Sequence, residues 1–209
     1  MKIIKAGFEI ISPINGEEIL RHIELCGRIC YKSEGSITQD SYQKFVAGIV
    51  KRGHEAVIEH ASFTVKFTVD RGVSHEVVRH RMASYCQEST RYCNYAGDKF
   101  GEEITVIDPC HLEAGTAGYT AWKESCETAE KCYFEMLNAG HTAQEARAVL
   151  PTSLKTEMVM TANLREWRHF LKLRTPKAAH PQMREVAIPL LYALKQEIPV
   201  IFDDIEVQA

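Results

Sequence analysis

Phe63, Val65, Phe67 and Val69 alternate with Ser62, Thr64, Lys66 and Thr68. Successive side chains of a strand point to opposite faces, so this run buries one face and wets the other only as a β-strand. Most of the chain around it repeats at the helical period instead. Few strands, not regularly alternated with helices, read as α+β: a single domain over residues 1–209 with a small antiparallel β-sheet flanked by several helices.

Asn15, followed by an acid at Glu18 and by Ile19, Leu20, Ile23, Cys26, Ile29 and Cys30, predicts a capped amphipathic helix over about 16–31. Thr38 is expected to open a second helix that buries Tyr42, Phe45, Val46, Ile49 and Val50 and stops at Gly53. Val73, Val77 and Val78 predict a helix from Val73 to about Arg81. Ile104–Ile107 reads as a short strand, about 111–120 as a loop and about 120–138 as a long helix ended by Gly140. Thr142 with Glu145, and Asn163 with Glu166, are capping-box pairs that open two further helices. Glu157–Ala162 alternates like a strand, and a last helix from Pro181 carries Pro189 as an expected kink.

The chain has 209 residues, enough for a substantial core without staples. Its seven cysteines are odd in number and form no Cys-x-x-Cys pair, which argues against a disulfide framework and a zinc ribbon. No apolar run approaches the roughly 20 residues of a membrane span, and the first residues lack the apolar stretch of a secretory signal. A cytoplasmic protein with no membrane partner and no metal is expected.

Against a formal net charge of −3, Arg79-His80-Arg81 and Ser89-Thr90-Arg91 concentrate cations within thirteen positions. Clustered arginines repel one another unless an anion lies between them, and the planar guanidinium matches phosphate bidentately. Neither a Gly-x-Gly-x-x-Gly nor a Gly-x-x-x-x-Gly-Lys-Ser/Thr loop is present, so side chains must carry any phosphate. The candidates are Arg79, Arg81, Arg91, Arg147, Arg165, Arg168 and Arg174. On periodicity alone Arg147 reads as a snorkelling surface arginine, Arg174 as a helix C-terminus and Asn163 as an N-cap. His54 and His60 have neither helical nor strand metal spacing. His80 between two arginines should favour its neutral form. Cys86 and Cys93 lie in the basic stretch, where a thiolate would be stabilised, and Ser89 could in principle be activated by His80. Spacing alone leaves the reaction undecided.

Arg-His-Arg, seven residues, Ser, one residue, Arg resembles the signature of flavin-dependent thymidylate synthases, the ThyX family. His54 to His60 before the alternating strand, Glu145-Ala-Arg147-Ala-Val-Leu-Pro151, Asn163-Leu-Arg165-Glu166 and Leu-Lys-Leu-Arg174 resemble its other blocks. The resemblance implies a homotetrameric methyltransferase with active sites at subunit interfaces. It would hold FAD, oxidise NADPH and convert dUMP to dTMP with 5,10-methylenetetrahydrofolate, without a cysteine nucleophile. Carried over, Arg79, His80, Arg81, Asn163 and Arg165 would contact FAD, joined by His54, Ala56, Gln87 and His169. The dUMP site would take Glu76, Arg79, Gln87, Glu88, Ser89, Thr90 and Arg91, with Arg147 from another subunit. Arg174 would be the catalytic group, on the uracil carbonyl.

Four positions depart from the family pattern. Glu76 stands where Gln is frequent, Gln87 where Glu is common, Ala56 in place of a hydroxyl that touches FAD, and His169 where Asn is frequent. His180 falls in what reads as a small insertion. Two other classes stay open at this point: a nucleic-acid module, disfavoured by the acidic charge, and a member that binds nucleotide without turnover. No nucleic-acid partner is expected.

Overall fold

A computed structural model describes residues 1–97 and 100–207. In chain order it runs β1 (Lys2–Ile4), β2 (Gly7–Ile10), α1 (Gly16–Cys30), α2 (Ser41–Lys51), β3 (Ser62–Asp70), α3 (Arg71–Val77), β4 (Ala83–Gln87) and β5 (Thr105–Ile107). There follow α4 (Ala117–Asn138), α5 (Ala143–Ala146), β6 (Lys155–Asn163), α6 (Leu164–Arg174), α7 (Pro181–Glu197) and α8 (Pro199–Phe202). This is an α+β fold. A four-stranded sheet has the order β2-β3-β6-β4, and β1 and β5 form a separate parallel pair, Lys2 opposite Thr105 and Ile4 opposite Ile107.

The alternating run forms β3, with Phe63, Val65, Phe67 and Val69 at most 2% exposed. It pairs with β6 in the opposite sense, since Ala61 meets Leu164, Thr64 meets Thr161 and Arg71 meets Thr152. β5 lies within the short strand expected at Ile104–Ile107, whereas β1, β2 and the parallel pairing were not foreseen. Segments of three or four residues such as β1 and β2 are too short to show a period.

The chain divides into two compact units. The first comprises Met1–Gly7, Phe67–Arg79 and Cys86–Val159. Its core gathers Ile104, Val106, Cys126, Tyr133, Ala146 and Leu154. Burial raises the Cys126 thiol pKa, as for a cysteine used as a small apolar side chain. The second comprises Phe8–Lys66, His80–Tyr85 and Met160–Ala209. In it Phe63 stacks on Trp167 at 4.8 Å, and the Trp167 Nε1–H donates to the Phe63 carbonyl at 3.2 Å. Gly27 lets α1 approach α2: a Cβ there would stand 2.6 Å from the Phe45 ring.

Helix starts follow their caps. Asn15 accepts from the Glu18 N–H at 3.2 Å, and α1 begins where expected. The second helix starts at Ser41 rather than Thr38, because the Thr38 N–H and carbonyl both bind the Ser41 hydroxyl and close a turn. α3 starts at Arg71, two residues before the expected Val73, since Asp70 accepts from the Val73 N–H at 2.6 Å. It ends at Val77, so Arg79 lies beyond the helix instead of on its last turn. α4 reaches back to Ala117 because Thr116 caps it, which places Gly118 in the helix rather than the loop. Pro189 lies inside α7, and α8 was not foreseen.

Candidate active site

The Arg-His-Arg stretch straddles the division of the chain: Arg79 ends a segment of the first unit and His80 opens one of the second. The assigned residues fall into two sets accordingly.

In the second unit, β6 delivers Asn163 to the start of α6, where its Oδ1 accepts from the Glu166 N–H at 2.9 Å. The Glu166 side chain turns to His80 instead, Oε1 lying 2.8 Å from Nδ1. On the other side of that ring, Arg174 donates from Nε to His80 Nε2 at 3.1 Å. His80 and Glu166 are buried, and the Phe170 ring packs against the imidazole. Burial first, then the charges of Arg174 and His169, pull the His80 pKa below the usual imidazole range against the opposing pull of Glu166. The neutral form expected from the sequence therefore has different causes: Arg79 and Arg81 are exposed, and burial and Arg174 set the balance.

His80, Glu166 and His169 also place three possible ligand atoms within 4.8 Å of one another. Both nitrogens of His80 are engaged, one of them by a guanidinium that would repel a cation, so this triad suits proton placement better than metal binding.

Beside it lies a cavity of about 410 Å³ lined by Asn163, Arg165, His169 and Lys172 together with Glu55 and Glu59. Arg165 pairs with Glu59 at 2.5 Å, and Lys172 lies 3.8 Å from Glu55. Cations offset by acids suit the alternating donors and acceptors of a flavin ring edge better than a pyrophosphate, and the volume is that of a small-molecule pocket. The residues fit such a group. Arg168, also on this wall, is bound to Glu55 and Asp204 and is a structural arginine. His54, Ala56 and Arg81 are exposed, and the His54 Nδ1 is 3.4 Å from the Tyr31 hydroxyl.

In the first unit, Gln87 donates to the hydroxyls of Ser74 at 2.9 Å and Thr156 at 3.2 Å. Glu88 accepts from Lys155 at 2.8 Å and from the Tyr95 hydroxyl at 3.2 Å. Ser89 Oγ accepts the Arg91 N–H at 3.3 Å, and the Arg91 Nε–H donates to Gln144 at 2.8 Å, which brings the Ser89–Arg91 turn to α5. Glu76 is half-buried on α3 and Arg79 exposed beyond it.

Arg147 follows α5 and lines a cavity of about 330 Å³ with buried Thr90, His75 and Arg71. Arg147 and Thr90 thus share a cavity within one chain. The residue that sequence reasoning missed is Arg71. Its Nη1 is buried with no hydrogen-bond partner among the described residues, a charged donor placed to meet an anion. A cation eight positions before Arg79, opening a helix, was the available signal.

Residues 14–200 match the model of the family described as thymidylate synthase complementing protein. The flavin-dependent thymidylate synthase of Geobacter sulfurreducens is 33% identical over 189 residues, covering 87% of this chain and 80% of that one. Its counterpart in Corynebacterium aurimucosum is 33% identical over 197 residues, covering 88% and 79%. Among solved structures, the UMP/dUMP methylase PolB from Streptomyces cacaoi, bound with 5-Br dUMP, has a TM-score of 0.78 over 97% of this chain and 96% of that chain. At 22% identity that likeness bears on the fold.

Proposed function

The chain belongs to the thymidylate synthase complementing protein family, with flavin-dependent thymidylate synthases as its relatives, and from that premise we propose how its residues methylate dUMP to dTMP. FAD is the cofactor, NADPH its reductant and 5,10-methylenetetrahydrofolate the one-carbon donor. When bound, FAD supplies the hydride that side chains cannot. The observation that carries the reading is the contact of Arg174 with His80, next to a cavity whose lining fits a flavin edge.

Arg174 holds the uracil carbonyl and stabilises the negative charge left when the ring N–H loses its proton. A guanidinium suits that task because it stays charged and does not itself titrate. Asn163, Arg165 and His169 hold the flavin with His80, and His54, Ala56, Arg79, Arg81 and Gln87 complete its surroundings. Ser89, Thr90, Arg91, Arg147 and Arg71 take the phosphate and sugar of dUMP. Glu76, Arg79, Gln87 and Glu88 complete the nucleotide site. Cys86 and Cys93 take no part.

Residues 1–209 act as one synthase domain, a reading supported by the family match at 14–200, which takes in residues of both compact units. The working form is a homotetramer with active sites at subunit interfaces. Leu25 and Ile29, one turn apart on α1 and about half exposed, support a covered apolar face. A cytoplasmic setting is in keeping with the lack, among the described residues, of any helix long and apolar enough to cross a membrane.

The purified protein is expected to be yellow, to run as a tetramer in light scattering and to oxidise reduced flavin in a dUMP-dependent way with formation of dTMP. A protein that takes up no FAD, or that binds dUMP and releases no dTMP, would refute the assignment.

A further inference from the structure

Arg174 reaches His80 through Nε, and an arginine nitrogen can donate but not accept. The Nε2 of His80 must therefore present its lone pair, and the proton of the neutral ring must sit on Nδ1. That proton points at Glu166 Oε1, 2.8 Å away, and an ionised carboxylate can accept but not donate. The three groups fit together in one protonation pattern. Reversing the ring proton would set two N–H groups against each other at Arg174 and two lone pairs at Glu166.

We propose that Glu166 is a positioning residue of the reaction: by accepting the Nδ1 proton of His80 it fixes Nε2 as an acceptor, and through it sets the guanidinium of Arg174. The proposal rests on the functional reading above for the role of Arg174. It assigns Glu166 a task separate from its N–H, which Asn163 already caps.

The surroundings keep this pattern in place. His80 is 3% exposed and Glu166 8%. The groups facing the imidazole are Glu166, His169 and Arg174 on α6, with the Phe170 ring edge-on at 4.9 Å. From β4, the Tyr85 hydroxyl donates to the His80 carbonyl at 2.6 Å, fixing the backbone that carries the ring. A second proton on His80 would place an N–H against Arg174, and burial, Arg174 and His169 all oppose it.

Nitrogen-15 NMR of histidine-labelled protein tests the pattern without any turnover, with His80→Gln identifying the resonance. The wild type is expected to show a neutral ring protonated at Nδ1, and Glu166→Ala a ring that averages or moves its proton to Nε2. In the assay, Glu166→Ala should lower kcat for dTMP about 10–100-fold, a loss of the size seen when the partner of a functional ligand is removed. Glu166→Gln, which keeps an acceptor oxygen, should lose less. In that variant the acid limb of kcat should move to lower pH, because the anion that favours protonated His80 is gone.

An Nε2-protonated ring in the wild type overturns the proposal. So does a Glu166→Ala protein with unchanged kcat, or one whose loss is confined to melting temperature and flavin binding. If the wild type forms no dTMP, the functional reading falls, while the NMR arm still decides whether Glu166 sets His80.

Discussion

Arg168 forks onto Asp204, Nη1 to Oδ1 at 2.6 Å and Nη2 to Oδ2 at 2.7 Å, from a side chain only 2% exposed. The same guanidinium donates to Glu55 Oε1 at 3.1 Å and to the Ile201 carbonyl. It ties α6 to the segment before β3 and to the turn after α8. Removing one partner of a buried charge leaves the other uncompensated.

Asp204→Asn is therefore expected to lower unfolding free energy by about 1–2 kcal/mol in urea titrations, less than a fully buried pair because Asp204 is 49% exposed. The hydrogen bond from Arg168 holds the Asp204 carboxyl below its ordinary range. A depressed carboxyl contributes stability above its unfolded pKa of about 3.9 and loses it as pH falls through the folded value. The variant should accordingly show a shallower loss of stability than the wild type below about pH 4. Equal acid slopes would mean that Arg168 and Asp204 do not couple in solution.

Arg174→Ala is expected to reduce dTMP formation by at least about 10²-fold while leaving circular dichroism and the flavin spectrum unchanged, the size of loss expected for a donor to developing charge. Arg174→Lys should rescue little. A lysine keeps the charge but lacks the planar fork that can meet His80 and a carbonyl together. Single-turnover flavin oxidation with dUMP separates this from a binding defect, and full activity in Arg174→Lys would show that charge alone suffices.

Much of the frame was legible because burial follows period. β3 was readable from four alternating residues, and α1, α5 and α6 from their caps. What escaped was local competition and distance. Thr38 lost the start of α2 to a turn closed by Ser41, and Asp70 began α3 early with a cap that no apolar pattern announces. Glu166 read as the acid of a capping box, yet its carboxylate is spent on His80, eighty-six positions away. Nor could spacing show that Arg168 is consumed by Asp204 while Arg71 keeps a buried nitrogen without a partner among the described residues. Both are arginines near a helix start, and only the fold tells them apart.

Cys86→Ser is expected to keep dTMP formation within about twofold of wild type, since isolated surface changes rarely matter. Cys86 is exposed on β4, and the hydrogen bonds among Glu166, His80 and Arg174 do not involve it. Loss of turnover with an intact flavin spectrum would point instead to covalent catalysis by a thiolate, and mass spectrometry of the protein trapped with a 5-halogenated dUMP would show the adduct.

Arg71→Ala is expected to raise the KM for dUMP about 10–100-fold with kcat little changed. The cavity it shares with Thr90 and Arg147 holds two guanidiniums and, among the described residues, no carboxylate in its lining, so an anion there is attracted by both. A charge-assisted contact of this kind contributes about 1.5–3 kcal/mol, which corresponds to that range of affinity. Such a contact formed equally in substrate and transition state changes KM and not kcat. Arg71→Lys should recover part of the loss, and raised salt should weaken dUMP binding more in the wild type than in Arg71→Ala. Deoxyuridine, which lacks the phosphate, supplies the control: the variant and the wild type should bind it equally poorly. Equal KM values for dUMP in both proteins would remove Arg71 from the site and leave its buried nitrogen to an ordered water.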